Sequence, residues 1–354
     1  MSALHAPVHT LWSTAKTGAI AAKSWYGIAA AAVPGGGVVI ATVVGLVAAA
    51  AMAPALLQRV PGPIRTLPGI DLVAGIPAPT FQGALYDIPA PLSVAASPAG
   101  DVIYVAEGKG DRYVRRIPLQ EGEPSLMAPP GTEPGTRKPV SVAVGRDGMV
   151  YVVDRVRGDV DMYDAAGNWL GILPPAAERS RWQPLAVGTG PGGEVFVLNG
   201  VTEGPPLAQY DAQGWLVQVQ PLLDAAGVAL SFPSGIGLSD DGEFVVADSN
   251  NARIVVFDPL TGVGRVVGVG VGDEQLAMPR GLAIDGRGNV LVADATDHDV
   301  AVWDVGADPP RLLFRFGSPG FEDGEMLFPN GVALDDNGNI YVADRDNDRV
   351  QIWR

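Results

Sequence analysis

Hydrophobic and polar positions alternate along this chain in two unlike ways. From Tyr26 to Leu57 there is no charged residue, and Gly37–Leu57 (GVVIATVVGLVAAAAMAPALL) is a run of 21 apolar or small residues. As a helix this run would be about 31 Å long, enough to cross a bilayer. From Pro91 onward the apolar residues instead come in short runs, broken by clusters of Gly, Asp and Asn. In PNGVALDDNGNIYVADRDNDRVQIW, Pro329–Trp353, an apolar run follows the Pro and a turn falls at Asp336-Asn337-Gly338-Asn339. A second run, Ile340–Ala343, leads into another turn and then the alternation Val350, Ile352. That pattern predicts three short strands joined by tight turns.

The phrase recurs. Relatives begin at Pro279 (PRGLAIDGRGNVLVADATDHDVAVWD), Pro233 (PSGIGLSDDGEFVVADSNNARIVVFD) and Pro139 (PVSVAVGRDGMVYVVDRVRGDVDMYD), with more degraded forms at Pro91 and Pro184. The leading prolines are spaced by 48, 45, 49, 46 and 50 residues. A variable stretch after each third strand, such as Arg311–Phe316, supplies a fourth. Four strands at this period predict propeller blades rather than a helical solenoid. The sixth unit stops after its third strand. Leu67–Ile76, with the FQGALYDIPAP segment that follows at residue 81, is the expected missing strand and its connector, closing the ring so that no sheet edge is left between first and last blade.

The resulting division is a tail over 1–25, an apolar anchor over 26–57 with its core at 37–57, a linker over 58–66, and an all-β, six-bladed propeller over 67–354. Pro34-Gly35-Gly36-Gly37 breaks any earlier helix, and Arg59, Pro61 and Pro63 end the span. A cleaved signal peptide is the alternative, since Ala53-Pro54-Ala55 imitates a cleavage site, but such an apolar region is shorter and follows a shorter head. Lys16 and Lys23 against Arg59 and Arg65 nearly balance the flanks, and the acid-free tail favours an inside N-terminus with the propeller outside the cytoplasm. Gly37, Ala41, Gly45, Ala49 and Ala53 would share one helix face and admit a second helix.

Length alone predicts two domains; the repeats reduce that to one. The formal net charge of −15 is also an average, because residues 1–70 hold four bases and no acid, leaving 20 bases and 39 acids beyond them. Within the ring, residues 184–354 carry 9 bases and 25 acids, whereas residues 91–183 carry 11 and 12. Nucleic acid is therefore not an expected partner, and the acidic sector reads either as a solvated surface that promotes solubility or as a face turned toward a basic protein partner. With no cysteine and three histidines, two of them in the first ten residues, thiolate chemistry and a histidine metal cluster are excluded.

The repeats resemble the NHL family. The resemblance rests on P-x-G-[VIL]-[AG]-[VIL]-[DS], on G-[NE]-[VIF]-x-V-A-D, and on N-x-R-[VI]-x-[VI]-[FW] at Asn251–Phe257 and Asn347–Trp353. The connecting phrase Phe316–Gly331 fits as well. Glu107 and Asn199 depart from it by replacing the Asp that ends strand two. The resemblance implies a six-bladed propeller used for protein interaction or ligand sensing, and the apolar anchor adds the expectation of an accessory subunit of an envelope complex. A propeller hydrolase or lyase of lactonase or esterase type, with a metal or polar ligand at the channel mouth, is the alternative.

Candidate chemistry is sparse. Asp154, Asp248, Asp294 and Asp344 end second strands before turns, where such side chains cap backbone amides. Asp344-x-Asp346-x-Asp348 lacks the glycine and the terminal glutamate of an EF-hand. No cofactor is expected, a calcium ion at the channel mouth being the one left open. The residues after the leading prolines, Leu92, Val140, Leu185, Ser234, Arg280 and Asn330, should face the channel. With the neighbouring turns they give a candidate ligand site of Ser234, Arg280, Asn330, Asn250, Asp297, His298 and Arg345, with no catalytic residue assigned. The irregular stretches Leu119–Lys138 and Leu173–Gln183 are the expected contact loops.

Overall fold

The computed structural model describes residues 77–354, apart from 202, 203, 205, 240 and 241. Each leading proline opens the innermost strand of a four-stranded antiparallel blade, a position where its missing N–H costs no ladder bond. The inner strands are Pro91–Ala96, Pro139–Val144, Pro184–Thr189, Pro233–Leu238, Pro279–Ile284 and Pro329–Leu334. Second strands such as Val102–Glu107, Val150–Asp154 and Phe244–Asp248 are buried at every position, because neighbouring blades cover both faces. Their unbroken apolar runs follow from that. The turn between first and second strands is made by a side chain: Asp335 Oδ1 accepts the N–H groups of Asn337 and Asn339, both at 2.9 Å.

The described residues form six sheets. Five run in sequence order from the inside out, and the sixth joins Pro329–Leu334, Ile340–Asp344 and Arg349–Trp353 to a strand at Phe81–Leu85. Phe81 lies opposite Trp353 and Leu85 opposite Val350. Beside this pairing, Thr80 N donates to Arg354 O at 2.7 Å and Arg354 N returns a bond to Thr80 O at 3.0 Å. The closing strand thus falls in the FQGALYDIPAP segment, while Leu67–Ile76 lies outside the described residues. Blade four gains a fifth, two-residue strand, Leu223–Asp224, which pairs in parallel with Val263 and Gly264.

The core consists of six apolar clusters, one at each blade interface. The aromatic residue near the end of strand three fills the cluster shared with the preceding blade. Tyr163, Tyr210, Phe257, Trp303 and Trp353 occupy five of these places, and in the first blade the shorter Ile117 does so. Near the axis the third residue of the inner strand decides how close two blades come. A Cβ on Gly235 would meet Arg280 O at 2.5 Å, and one on Gly281 would meet Gly331 Cα at 2.7 Å, so the P-x-G phrase is a packing requirement. Blades one and two use Ser93 and Ser141 there, whose Oγ atoms each accept an N–H from the next blade, from Val142 and Val187.

The two irregular stretches are partly built into the ring. Met127 and Arg137 of the first, and Leu173 and Trp182 of the second, are buried. The anchor expected over 26–57, with its Gly37, Ala41, Gly45, Ala49 and Ala53 face, lies outside the described residues. Among the described residues no helix is long and apolar enough to cross a membrane.

Candidate functional site

The axial channel is narrow. Leu92, Val140, Ser234 and Asn330 line a cavity of about 50 Å³, room for a few waters and not for a substrate. Leu185 and Arg280 do not line it. Ser234 Oγ hydrogen-bonds Ser249 Oγ at 2.5 Å and Arg280 O at 3.2 Å, and Asn330 Nδ2 donates to Leu92 O at 2.6 Å. Both polar side chains are therefore engaged with adjoining segments of the ring.

The carboxylates ending second strands hold the chain together at the same end. Asp154, Asp248, Asp294 and Asp344 are fully buried. Each accepts at least one N–H from the two residues that precede its own blade's leading proline. Lys138 N, Ser231 N, Met278 N and Leu327 N donate at 3.1, 2.6, 2.8 and 2.7 Å respectively. Asn199 does the same for Gln183 N at 2.7 Å. Glu107 departs from the scheme and pairs with Arg115 Nη2 at 2.6 Å.

A buried carboxylate needs a partner. Arg253 and Arg349, the first residues of their third strands, donate to Asp248 and Asp344 through Nε at 2.8 Å. In blades two and five that position holds Asp159 and Asp299 instead, and the cation comes from elsewhere. Arg137, in the connector before blade two, is fully buried between Asp154 and Asp161, 3.0 Å from each. Arg315, from an outer strand, reaches Asp299 at 2.7 Å, Asp297 at 3.3 Å and Asp294 at 3.8 Å. Burial outweighs these cations for two of the carboxyls. Asp161 is held above its ordinary range, and Asp299 is pushed up to about 7. Asp297 is raised as well, by burial and then by Asp294.

The remaining sequence candidates are spread over several partners. Asn250 Nδ2 donates to Ser231 Oγ at 3.2 Å. His298 Nδ1 accepts the N–H of Phe328 at 3.0 Å, and its ring meets the Phe328 ring edge-on at 4.7 Å. In the Asp344-x-Asp346-x-Asp348 run the three carboxylates diverge: Asp344 faces Arg349, Asp346 faces Arg345, and Asp348 accepts the N–H of Ala90. Among the described residues no group of three or more His, Asp or Glu stands ready to hold a metal ion.

The structure does bring Arg280 and Arg345 into one electrostatic neighbourhood, and adds three residues that sequence reasoning missed. The guanidinium carbons of Arg155 and Arg280 lie 5.1 and 5.3 Å from the centre of the Phe232 ring, and that of Arg345 lies 5.1 Å from Phe328. Phe232 and Phe328 both immediately precede a leading proline and carry positive φ angles of 54° and 49°. A bulky aromatic in that position was the available signal.

Among the described residues the outer edge of blade three carries the longest run of exposed apolar side chains. Trp215 and Val217 at the edge of blade three are 71% and 61% exposed, and Leu216 and Val219 beside them are exposed as well. The outer strand Leu216–Gln220 has a partner on one side only, whereas in blade four Leu223–Asp224 covers the equivalent edge.

The NHL repeat profile matches residues 230–257 and 326–353, within the fourth and sixth blades. A search of the curated proteins gives no match. Among solved structures, a Bacteroides thetaiotaomicron protein of unknown function is similar at 14% identity and a TM-score of 0.59, over 78% of this chain and 72% of that one. The hydrazine synthase of Kuenenia stuttgartiensis is similar at 14% identity and 0.53, over 79% and 98%. A chain of a nidogen/laminin complex is similar at 16% identity and 0.51, over 65% and 81%. At such identities the likeness is one of fold, and together with the two profile matches it supports a six-bladed β-propeller built on NHL-type repeats.

Proposed function

We propose that the chain is a membrane-tethered binding scaffold whose propeller stands outside the cytoplasm and takes up a protein partner at the edge of blade three. The observation that carries this reading is the unpaired, apolar outer strand Leu216–Gln220 with Trp215 beside it. An uncovered apolar edge is a hazard that soluble folds ordinarily blunt, and it accepts an extended segment of another chain as an added strand. The partner segment is apolar and flanked by Lys or Arg, because residues 184–354 carry 9 bases against 25 acids. A catalytic reading has less to draw on: the carboxylates at the channel mouth are occupied with backbone amides and arginines.

The tether is residues 26–57. Its support is the uncharged run Gly37–Leu57, and its small-residue face would let the chain join an envelope complex as an accessory subunit through both its helix and its ring. Fractionation followed by protease treatment of intact cells tests this placement. Membrane-bound chain with a digestible propeller supports it; a propeller that survives while an unfolded control is cleaved refutes it.

A further inference from the structure

Pairing is the rule for interior cations in this protein. Arg137, Arg253, Arg315 and Arg349 are each buried against one or more carboxylates at 3.0 Å or less. The half-buried arginines at the channel mouth depart from this pattern. Among the described residues neither Arg155 nor Arg280 makes an ion pair, and Arg345 pairs only with its neighbour Asp346. Arg280 Nε is buried and has no hydrogen-bond partner, and its Nη2 reaches only the Met278 sulfur at 3.2 Å. Burial pushes the Arg280 guanidinium below its ordinary range, and the nearby charges acting on it are those of Arg345 and Arg155, both of the same sign.

Such a cluster is costly to fold, and acids were available. The surrounding sector is rich in carboxylates, yet of the three guanidiniums only Arg345 has one as a partner, Asp346. The three arginines come from blades two, five and six and meet around two phenylalanine rings. Stacking on a ring fixes a guanidinium's plane and suits bidentate bonding to a planar or tetrahedral oxyanion; Asp346 occupies that edge of Arg345, whereas among the described residues Arg155 and Arg280 have no carboxylate on theirs. The cavity beneath is too small to admit a ligand, so one would rest on the mouth.

We propose that the channel mouth is a binding site for a small polyvalent oxyanion, a di- or tricarboxylate or a phosphate group, held by Arg155, Arg280 and Arg345 with Phe232 and Phe328 as supports. The site is independent of the protein contact at blade three. Occupancy would supply the missing counter-charge and couple ligand level to the rigidity of this end of the ring.

The test is calorimetric titration and thermal melting of the full-length chain in detergent, with citrate and inorganic phosphate each compared with sodium chloride at equal ionic strength. Saturable one-to-one binding of either anion is expected, with a melting rise of about 2 °C at tenfold excess over Kd. Tighter citrate binding identifies a polycarboxylate ligand, and tighter phosphate binding a phosphate ester. Arg155→Gln and Arg280→Gln should each weaken binding at least tenfold while raising the melting temperature of the ligand-free chain, since each relieves repulsion. The exposed Arg287→Gln should change neither. Absence of saturable binding with both anions overturns the proposal, as does a ligand-free melting temperature lowered by Arg155→Gln, which would mark that guanidinium as structural. If Arg280→Gln does not fold, Arg155→Gln decides alone.

Discussion

His298 and Asp348 occupy the same left-handed position in consecutive blades, with φ of 59° and 50°, and perform the same task. His298 Nδ1 accepts the N–H of Phe328, and Asp348 Oδ1 accepts that of Ala90, in each case the residue before the next blade's leading proline. The lone histidine of the ring is thus a blade-to-blade tie. His298→Ala should cost about 1–2 kcal/mol, by leaving the Phe328 amide without its acceptor. His298→Asn, which tolerates the left-handed backbone and offers an oxygen, should recover most of the loss. Urea unfolding of the three proteins checks both.

The buried carboxylate ties should be far more costly to remove. Asp344 accepts from Leu327 N, Asn347 Nδ2, Arg349 Nε and Gln351 Nε2. Asp344→Ala strands a buried guanidinium as well as an amide and should destabilise by about 3–5 kcal/mol. Asp346→Ala, one turn away and facing only Arg345, should stay within about 0.5 kcal/mol of the parent. Equal losses at the two positions in chemical denaturation would contradict the assignment.

Asp299 gives the ring a pH dependence of definite sign. Its carboxyl is pushed up to about 7 in the folded chain and returns to an ordinary value on unfolding. Between about pH 4 and 7 the folded state therefore binds the extra proton, and this group's contribution to stability falls as pH rises, by up to about 1.4 kcal/mol per pH unit. Asp299→Asn removes the dependence, so its stability relative to the parent should climb across that window and level off above it. A difference that stays constant from pH 4 to 8 in denaturant titrations would contradict it.

Ring closure by Phe81–Leu85 predicts a sharp boundary for N-terminal truncation. A chain starting at residue 77 keeps the pairing of Phe81 with Trp353 and the edge-on contact of their rings at 5.7 Å, and should melt cooperatively as a closed ring. A chain starting at residue 87 exposes the apolar strand Arg349–Trp353 and should self-associate. Sedimentation and melting of the two distinguish them.

Much of this architecture was legible in the sequence because each feature repeats. The leading prolines, the aromatic near the end of strand three and the Asp ending strand two recur at matching offsets, and each has one structural job. The chemistry of the ring resisted reading where a substitution is compensated from a distance. Asp159 and Asp299 stand where Arg253 and Arg349 supply the cation, and nothing local shows that Arg137 and Arg315 replace it. Ser234 and Asn330 line the channel, yet their hydrogen bonds to neighbouring segments are set by blade spacing. Arg155 and Phe232 meet across the mouth from blades two and four, a contact with no signature in either repeat. The two irregular stretches read as contact loops in the sequence because the burial of Arg137 and Trp182 depends on partners in other strands.

The scaffold reading is tested most directly by a photo-cross-linking residue at Val217 in the full-length chain, expressed in its own membranes beside the same probe at Arg311 on the outer strand of blade five. The account predicts one discrete cross-linked protein from position 217, absent from position 311 and lost when Trp215→Asp is added. Identical adducts from both positions, or an adduct at 217 that survives Trp215→Asp, would contradict it.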